Sequence, residues 1–384
     1  MENNESLQPV VLLNQKRLID NFLKLAAIKS YSKEEKAVSH AIMAELSSSG
    51  MDSDIEASID TIGNLHAFLP GNTEAFEPIL FCCHMDTVKP GERIVPVMHD
   101  GMIMSDGTSI LGADDKAGIA AVLELLHVLN ENHIAHGDIE IVFTVMEEAG
   151  MLGAKSLDFN TIRPRVGYVV DGSMKPGFLA TAAPYKNSMR IVIRGAAAHA
   201  GVSPEKGVSS IQVAAKAIAD MKLLRIDECT TANIGTISGG VSDNIVCPEV
   251  TISAEVRSLY PERLEKQISH MRECILNAAA AYGAEADIRV SKQYPGYSIP
   301  MEDFIVQCFK YACARAGLEF GTCISGGGTD ANIFNMSGIK SAVVGTGVKN
   351  AHTPKESISV NDLVSTAALL IELAGAVKRR PAEA

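Results

Sequence analysis

The residues Ile79-Leu80-Phe81-Cys82-Cys83 are apolar at every position rather than at every second one. A strand with one wet face alternates, because successive side chains point to opposite sides. An unbroken run of this length belongs to a strand buried on both faces, as in a sheet covered by helices on each side. Further buried strands are predicted at Asp138–Val145 and Val166–Val170, and a long apolar helix runs from Lys116 to about Glu131 between the first two. Helical spacing is present over 13–28 and 33–49, followed by a strand-like Asn64–Leu69. Strands alternating with helices imply an α/β layer on a largely parallel sheet.

From about residue 187 the rhythm changes. The spacing predicts a strand at Met189–Arg194, a helix at Gly207–Met221, strands at Ala232–Ser238 and Val250–Leu259, a helix at Pro261–Tyr282 and a strand at Glu285–Ser291. This β-α-β-β-α-β order is ferredoxin-like and suits one small domain. After Tyr294-Pro295-Gly296 the first pattern resumes, with helices at 301–317, 329–337 and 360–379 and a strand at 340–345. The expected organisation is an α/β domain (1–186 and 295–384) interrupted by an α+β domain (187–294). Lys378–Pro381 reads as a frayed tail.

Composition narrows the function classes. The chain has 384 residues, 47% of them hydrophobic, enough for a large core. Its net charge is −12 and its basic residues form no block, which argues against nucleic acid or an anionic membrane as partner. Aromatics make up 5% with no Trp, a poor basis for stacking bases. No apolar run is long enough to cross a membrane, and the opening Met1–Glu5 is unlike a signal peptide, so a cytoplasmic location is expected. Eight scattered cysteines without a C-x-x-C pair read as buried thiols rather than four disulfides. Met98, Met102 and Met104 alternate as in a half-buried strand, and His99 sits in a hairpin turn.

Five elements carry acids or histidines where predicted buried strands end, the edge at which sites gather in open α/β sheets. The first is His84-Met85-Asp86-Thr87-Val88, where a carboxylate two residues on can hold one imidazole nitrogen and leave the other for a metal. The second, Gly112-Ala113-Asp114-Asp115-Lys116-Ala117-Gly118, opens the long helix. Either aspartate there can cap that helix, and Lys116 favours the acidic cluster electrostatically. The third is Glu147-Glu148, whose side chains leave a strand end on different sides, one free to ligate and the other to handle a proton. The fourth and fifth are Asp171 and His352. Taken one at a time, a polar loop or a solvated acidic turn explains each. Taken together, they suit a pair of divalent ions: zinc, with manganese or cobalt as alternatives.

This ordered motif set resembles the co-catalytic zinc peptidase family, which includes peptidase T, carboxypeptidase G, aminoacylase and succinyl-diaminopimelate desuccinylase. The resemblance spans nearly the whole chain and is strongest to peptidase T, through Gly-Ala-Asp-Asp-Lys at 112–116 and Gly327-Gly328-Thr329-Asp330. It implies a zinc-peptidase α/β catalytic domain with an inserted ferredoxin-like lid, which also serves for dimerisation in some relatives. It further implies that Asp114 bridges two metals, that His84 and Asp171 complete one, and that Glu148 and His352 complete the other. Glu147 would be the general base acting on a metal-bridging water, Asp86 would orient His84, and Asp115 would cap the helix. His199, in Ala198-His199-Ala200-Gly201, would stabilise an oxyanion.

Softer candidates for holding substrate are Asn244, Arg257 and the loop containing Gly327 and Gly328, which precedes a helix whose amides suit an anion. The chain departs from peptidase T at Gly326, where that family has Arg, and over Asn350–Glu356. The substrate expected is a short peptide, with tripeptide aminopeptidase activity first. An amidohydrolase or carboxypeptidase acting on N-acyl amino acids is the alternative, and a non-catalytic metal-binding assembly protein a third. An exposed edge strand on the lid suits a homodimer, with a monomer as the alternative, since the family contains both.

Overall fold

The computed structural model describes residues 12–48 and 55–377, which form two compact units. One comprises the described residues up to Ala182, Ser298–Ser325 and those from Thr329 onward; the other is Ala183–Tyr297 with Gly326–Gly328. The tail Lys378–Pro381 and residue 49 of the second expected helix lie outside the described residues.

The first unit opens with helices α1 (Gln15–Ala26) and α2 (Lys36–Ser48), then strands β1 (Glu56–Ile59), β2 (Leu65–Leu69) and β3 (Ile79–His84). A hairpin of β4 (Pro96–His99) and β5 (Met102–Ser105) precedes α3 (Ala113–Glu131), β6 (Ile139–Thr144), the one-turn α4 (Leu152–Lys155), β7 (Val166–Gly172) and β8 (Phe178–Ala183). In β3 and β6 all six residues are buried, as the unbroken apolar run requires. Helix α3 is apolar around most of its circumference, the mark of a helix packed on several sides.

The chain then builds the second unit from β9 (Tyr185–Arg194), α5 (Ser210–Asp220), β10 (Leu224–Asp227), β11 (Thr230–Gly239), β12 (Glu249–Ser258), α6 (Pro261–Tyr282) and β13 (Glu285–Tyr294). These strands form one antiparallel sheet in the order β10-β11-β12-β9-β13. Without β10, that is the ferredoxin-like order 4-1-3-2. Met189, Ile191, Val213, Ile252, Met271 and Ile275 centre a hydrophobic core of its own. Strand β10 was not expected, because its four residues are exposed or only half-buried and carry no apolar period.

Returning, the chain forms β14 (Tyr297–Ser298), α7 (Phe304–Arg315), β15 (Gly321–Ile324), α8 (Asp330–Met336), β16 (Lys340–Gly345), β17 (Ser357–Ser359) and α9 (Val360–Ala374). The main sheet runs β1-β2-β6-β3-β7-β16-β8, with β15 beside β8. Strands β6, β3, β7 and β16 are mutually parallel, so their carboxyl ends share one edge. That edge carries His84, the loop into Glu147, Asp171 and the loop into His352.

The β4–β5 hairpin turns at Asp100-Gly101, both with positive φ, as expected beside His99. Met104 shares an exposed face with Val97, its partner across the hairpin, while Met98 is exposed opposite the buried Ile103 and Ser105 is buried as well. All eight cysteines are free thiols. Among the described residues, no helix is long and apolar enough to cross a membrane.

Candidate metal centre

His84 ends β3, and its Nδ1 lies 2.9 Å from the carbonyl oxygen of Asp86. A carbonyl only accepts, so Nδ1 carries a hydrogen and Nε2 is the nitrogen left for a metal once its own proton has gone. That Nε2 faces Asp114 Oδ1 at 3.2 Å and Asp171 Oδ1 at 3.6 Å. The other oxygen of Asp114 faces His352 Nε2 at 3.2 Å, and the same nitrogen lies 2.6 Å from Glu148 Oε1. Asp114 thus stands between two groups, one holding His84 and Asp171, the other Glu148 and His352. In each group the potential ligand atoms lie within 4.8 Å of one another, and a third such group joins His84, Glu147 and Glu148. Histidine nitrogens and carboxylate oxygens converging, with no Lys or Arg of the described residues paired to them, are a donor set that fits divalent cations.

The surroundings show what a cation would resolve. Burial raises Asp171 to about 7 and pushes Asp115 and Glu147 well above the ordinary carboxylate range. Burial opposes charge on His84, but hydrogen bonds to Asp114 and Asp171 carry its pKa well above normal. Hydrogen bonds to Asp114 and Glu148 raise His352 to about 10. Protons therefore hold together a cluster that repels itself when they leave.

Backbone features aim these side chains. Met146 adopts positive φ just after β6 and swings Glu147 and Glu148 out of the strand. Their amides donate to the two oxygens of Asp86, at 2.8 and 3.2 Å. Asp86 was expected to orient His84 through its carboxylate. That carboxylate is 3.5 Å from Nδ1, farther than the carbonyl, and is committed mainly to the Glu147–Glu148 turn and the Ser32 hydroxyl at 2.6 Å.

The Gly112–Gly118 segment contains a cis Asp114–Asp115 peptide bond, with non-helical dihedrals at both aspartates. Asp115 was expected to cap α3 and stands at the entry to the regular part of that helix, but among the described residues its carboxylate makes no hydrogen bond to a helix amide. Instead, Asp115 accepts the backbone N–H of His84 at 3.2 Å. The Lys116 ammonium donates to the Ile28 carbonyl, and burial pulls its pKa down to about 7. Gly118 is glycine for want of room, since a Cβ there would lie 2.3 Å from the Val170 carbonyl oxygen.

Two residues were missed by sequence reasoning. Glu356 is buried and accepts the amides of Leu111, Gly112 and Asp114 at 2.8–3.0 Å, fixing the loop that presents Asp114. Its only signal was its place four residues after His352. Glu35, also buried, accepts the Met146 amide at 3.0 Å, and nothing in its sequence surroundings marks it.

The remaining candidates lie in the second unit. His199 and Asn244 are exposed and adjacent, since the Ala200 amide donates to the Asn244 carbonyl at 2.9 Å and His199 bridges to Ile245. Arg257 Nε and Nη2 pair with Glu255 at 2.9 and 3.2 Å, and Nη1 reaches the Gly326 carbonyl at 3.3 Å. Gly328 packs on Tyr294 so closely that a Cβ would fall 2.3 Å from the ring. At the following helix, where an anion was expected, two amides are in use, because the Thr329 side chain accepts the Ala331 amide and Asn332 accepts that of Thr329.

The sequence profile of peptidase family M20/M25/M40 matches residues 80–376. An uncharacterised Bacillus subtilis protein, YqjE, is 42% identical over 94% of this chain and 98% of its own length. The crystal structure of aminopeptidase PepT from Bacillus cereus is 42% identical and matches with a TM-score of 0.88 over 95% of this chain and 99% of that one. A tripeptidase from Staphylococcus aureus is 37% identical, with a TM-score of 0.91 over 96% and 100%.

Proposed function

This chain belongs to peptidase family M20/M25/M40, and from that premise we propose that it is a two-metal aminopeptidase that removes the first residue of short peptides, tripeptides foremost. The observation that carries the reading is the pair of facing groups around Asp114, on a chain similar along its whole length to a PepT aminopeptidase and a tripeptidase. His84 and Asp171 would hold one ion, Glu148 and His352 the other, and Asp114 both. Zinc suits these donors, with manganese and cobalt as substitutes. When bound, such a pair lowers the pKa of a water and polarises the substrate carbonyl.

The proton work falls to Glu147. Its side chain is buried and its amide is pinned by Asp86, so its carboxylate is fixed beside the cluster. Burial raises its proton affinity, which suits a base that takes a proton from the attacking water and returns it to the leaving nitrogen. His199 is proposed as the donor to the developing oxyanion, and Asn244, Arg257, Gly327 and Gly328 as substrate contacts. Arg257 would have to release Glu255 before both arms of its guanidinium could grip a substrate carboxylate.

The test is hydrolysis by the zinc-loaded protein of a free tripeptide, its N-acetylated copy and an N-acyl amino acid. Release of the first residue from the free tripeptide alone is expected. Turnover of the acylated compounds would move the function to an amidohydrolase on the same centre.

A further inference from the structure

Asp330, the first residue of α8, has a 1% exposed side chain. Its Oδ2 accepts the Thr144 hydroxyl at 2.6 Å and lies 3.8 Å from the Cys82 thiol, while its Oδ1 has no hydrogen-bond partner among the described residues. Thr144 ends β6 directly opposite His84 on β3, and Cys82 lies two residues before His84 on the same side of that strand. The carboxylate therefore sits beneath the strand ends that carry the metal centre.

Burial makes its charge costly, and the acids facing it add to that cost while Thr144, His84 and Cys82 offset only part of it. From β3 and its following loop come Cys82, His84 and Asp86; from β6 come Thr144 and, beyond it, Glu147. Among the described residues no lysine or arginine pairs with it, and burial lifts its carboxyl to about 6. An asparagine would accept the same Thr144 hydroxyl without burying a charge, so the charge itself needs a reason.

We propose that Asp330 is a positioning residue for the metal pair: a buried counter-charge beneath the ligand-bearing strand ends that strengthens the hold on the ions without touching them. This rests on the reading of the site as a metal centre. Two dications bring the lasting positive charge that no lysine or arginine among the described residues supplies there, and a fixed carboxylate in a low-dielectric layer then favours their retention.

The experiment strips the full-length protein of metal, titrates zinc calorimetrically and follows thermal unfolding of the metal-free forms. Asp330→Asn is expected to bind zinc about tenfold more weakly while its metal-free form melts no lower than the wild type. Thr144→Val, which removes the hydrogen bond and keeps the charge, should retain wild-type zinc affinity. Unchanged affinity in Asp330→Asn overturns the inference. So does a metal-free Asp330→Asn that melts lower or fails to fold, or a loss of zinc affinity in Thr144→Val, since each makes the contact a structural brace. Zinc uptake by neither wild type nor variant overturns the metal reading as well, whereas uptake by the wild type with unchanged affinity in the variant overturns this inference alone.

Discussion

Adjacent in sequence, Glu147 and Glu148 part company at their side chains. Glu148 meets His352 at 2.6 Å, while Glu147 is buried with no hydrogen bond to either histidine. Substituting Glu147 should therefore fail differently from substituting a proposed ligand. Glu147→Gln is expected to keep its metal and lose about 10²–10⁴-fold in kcat, whereas His352→Ala should lose about one metal equivalent per chain. Metal analysis beside kinetics separates the two; near-wild-type kcat in Glu147→Gln would remove it as the base. Asp330 gives a pH signature in the metal-free protein. Its carboxyl rises from an ordinary 3.8 to about 6 on folding, so the folded state keeps a proton that the unfolded chain releases between those values. Its contribution is fully present below pH 3.8 and is lost as pH rises through 6, a difference of about 3 kcal/mol. Denaturant melts of metal-free wild type and Asp330→Asn from pH 4 to 7 should converge at the acid end and separate toward neutrality, the variant being the more stable there. Parallel curves would exclude it.

Elements differ in how openly the sequence declares them. Strands β3 and β6 were legible because burial on both faces leaves an unbroken apolar run, and α3 because it is apolar on most sides. Strands β1 and β10 were not, since they are short and without a buried residue, and their residues are chosen by pairing rather than by a core. The site divides the same way. His84, Asp114, Glu148, Asp171 and His352 could be found because each follows or adjoins a recognisable strand or helix end. Glu356, Glu35 and Asp330 serve through amides and a hydroxyl contributed by distant segments, a relation that no local pattern records. Helix α1 has a similar hidden partner. Arg17 holds the buried Glu124 of α3 through two bonds, at 2.7 and 2.9 Å, with Glu131 at the exposed rim. Arg17→Ala should cost about 3–5 kcal/mol by stranding a buried carboxylate, and Glu131→Ala about 1 or less. Chemical denaturation measures both, and equal losses would contradict the clamp.

At the scale of the molecule, the second unit is a nearly continuous insertion with its own hydrophobic core. A fragment of residues 183–297 is expected to fold alone and melt in one cooperative transition, followed by circular dichroism. A non-cooperative melt would mean that it needs the rest of the chain. The first unit has the opposite character, since its ligand loops are tied across most of the sequence. Glu356 fixes the amide of Gly112, 244 positions earlier, and His352 faces both Asp114 and Glu148. During synthesis at about 5–20 residues per second, roughly 12–50 s separate the appearance of those two ends. Throughout that interval the nascent chain exposes His84 and its acids without the residues that complete the arrangement. A chain cut short before His352 would therefore carry the earlier acids of the cluster and lack the histidine that faces two of them.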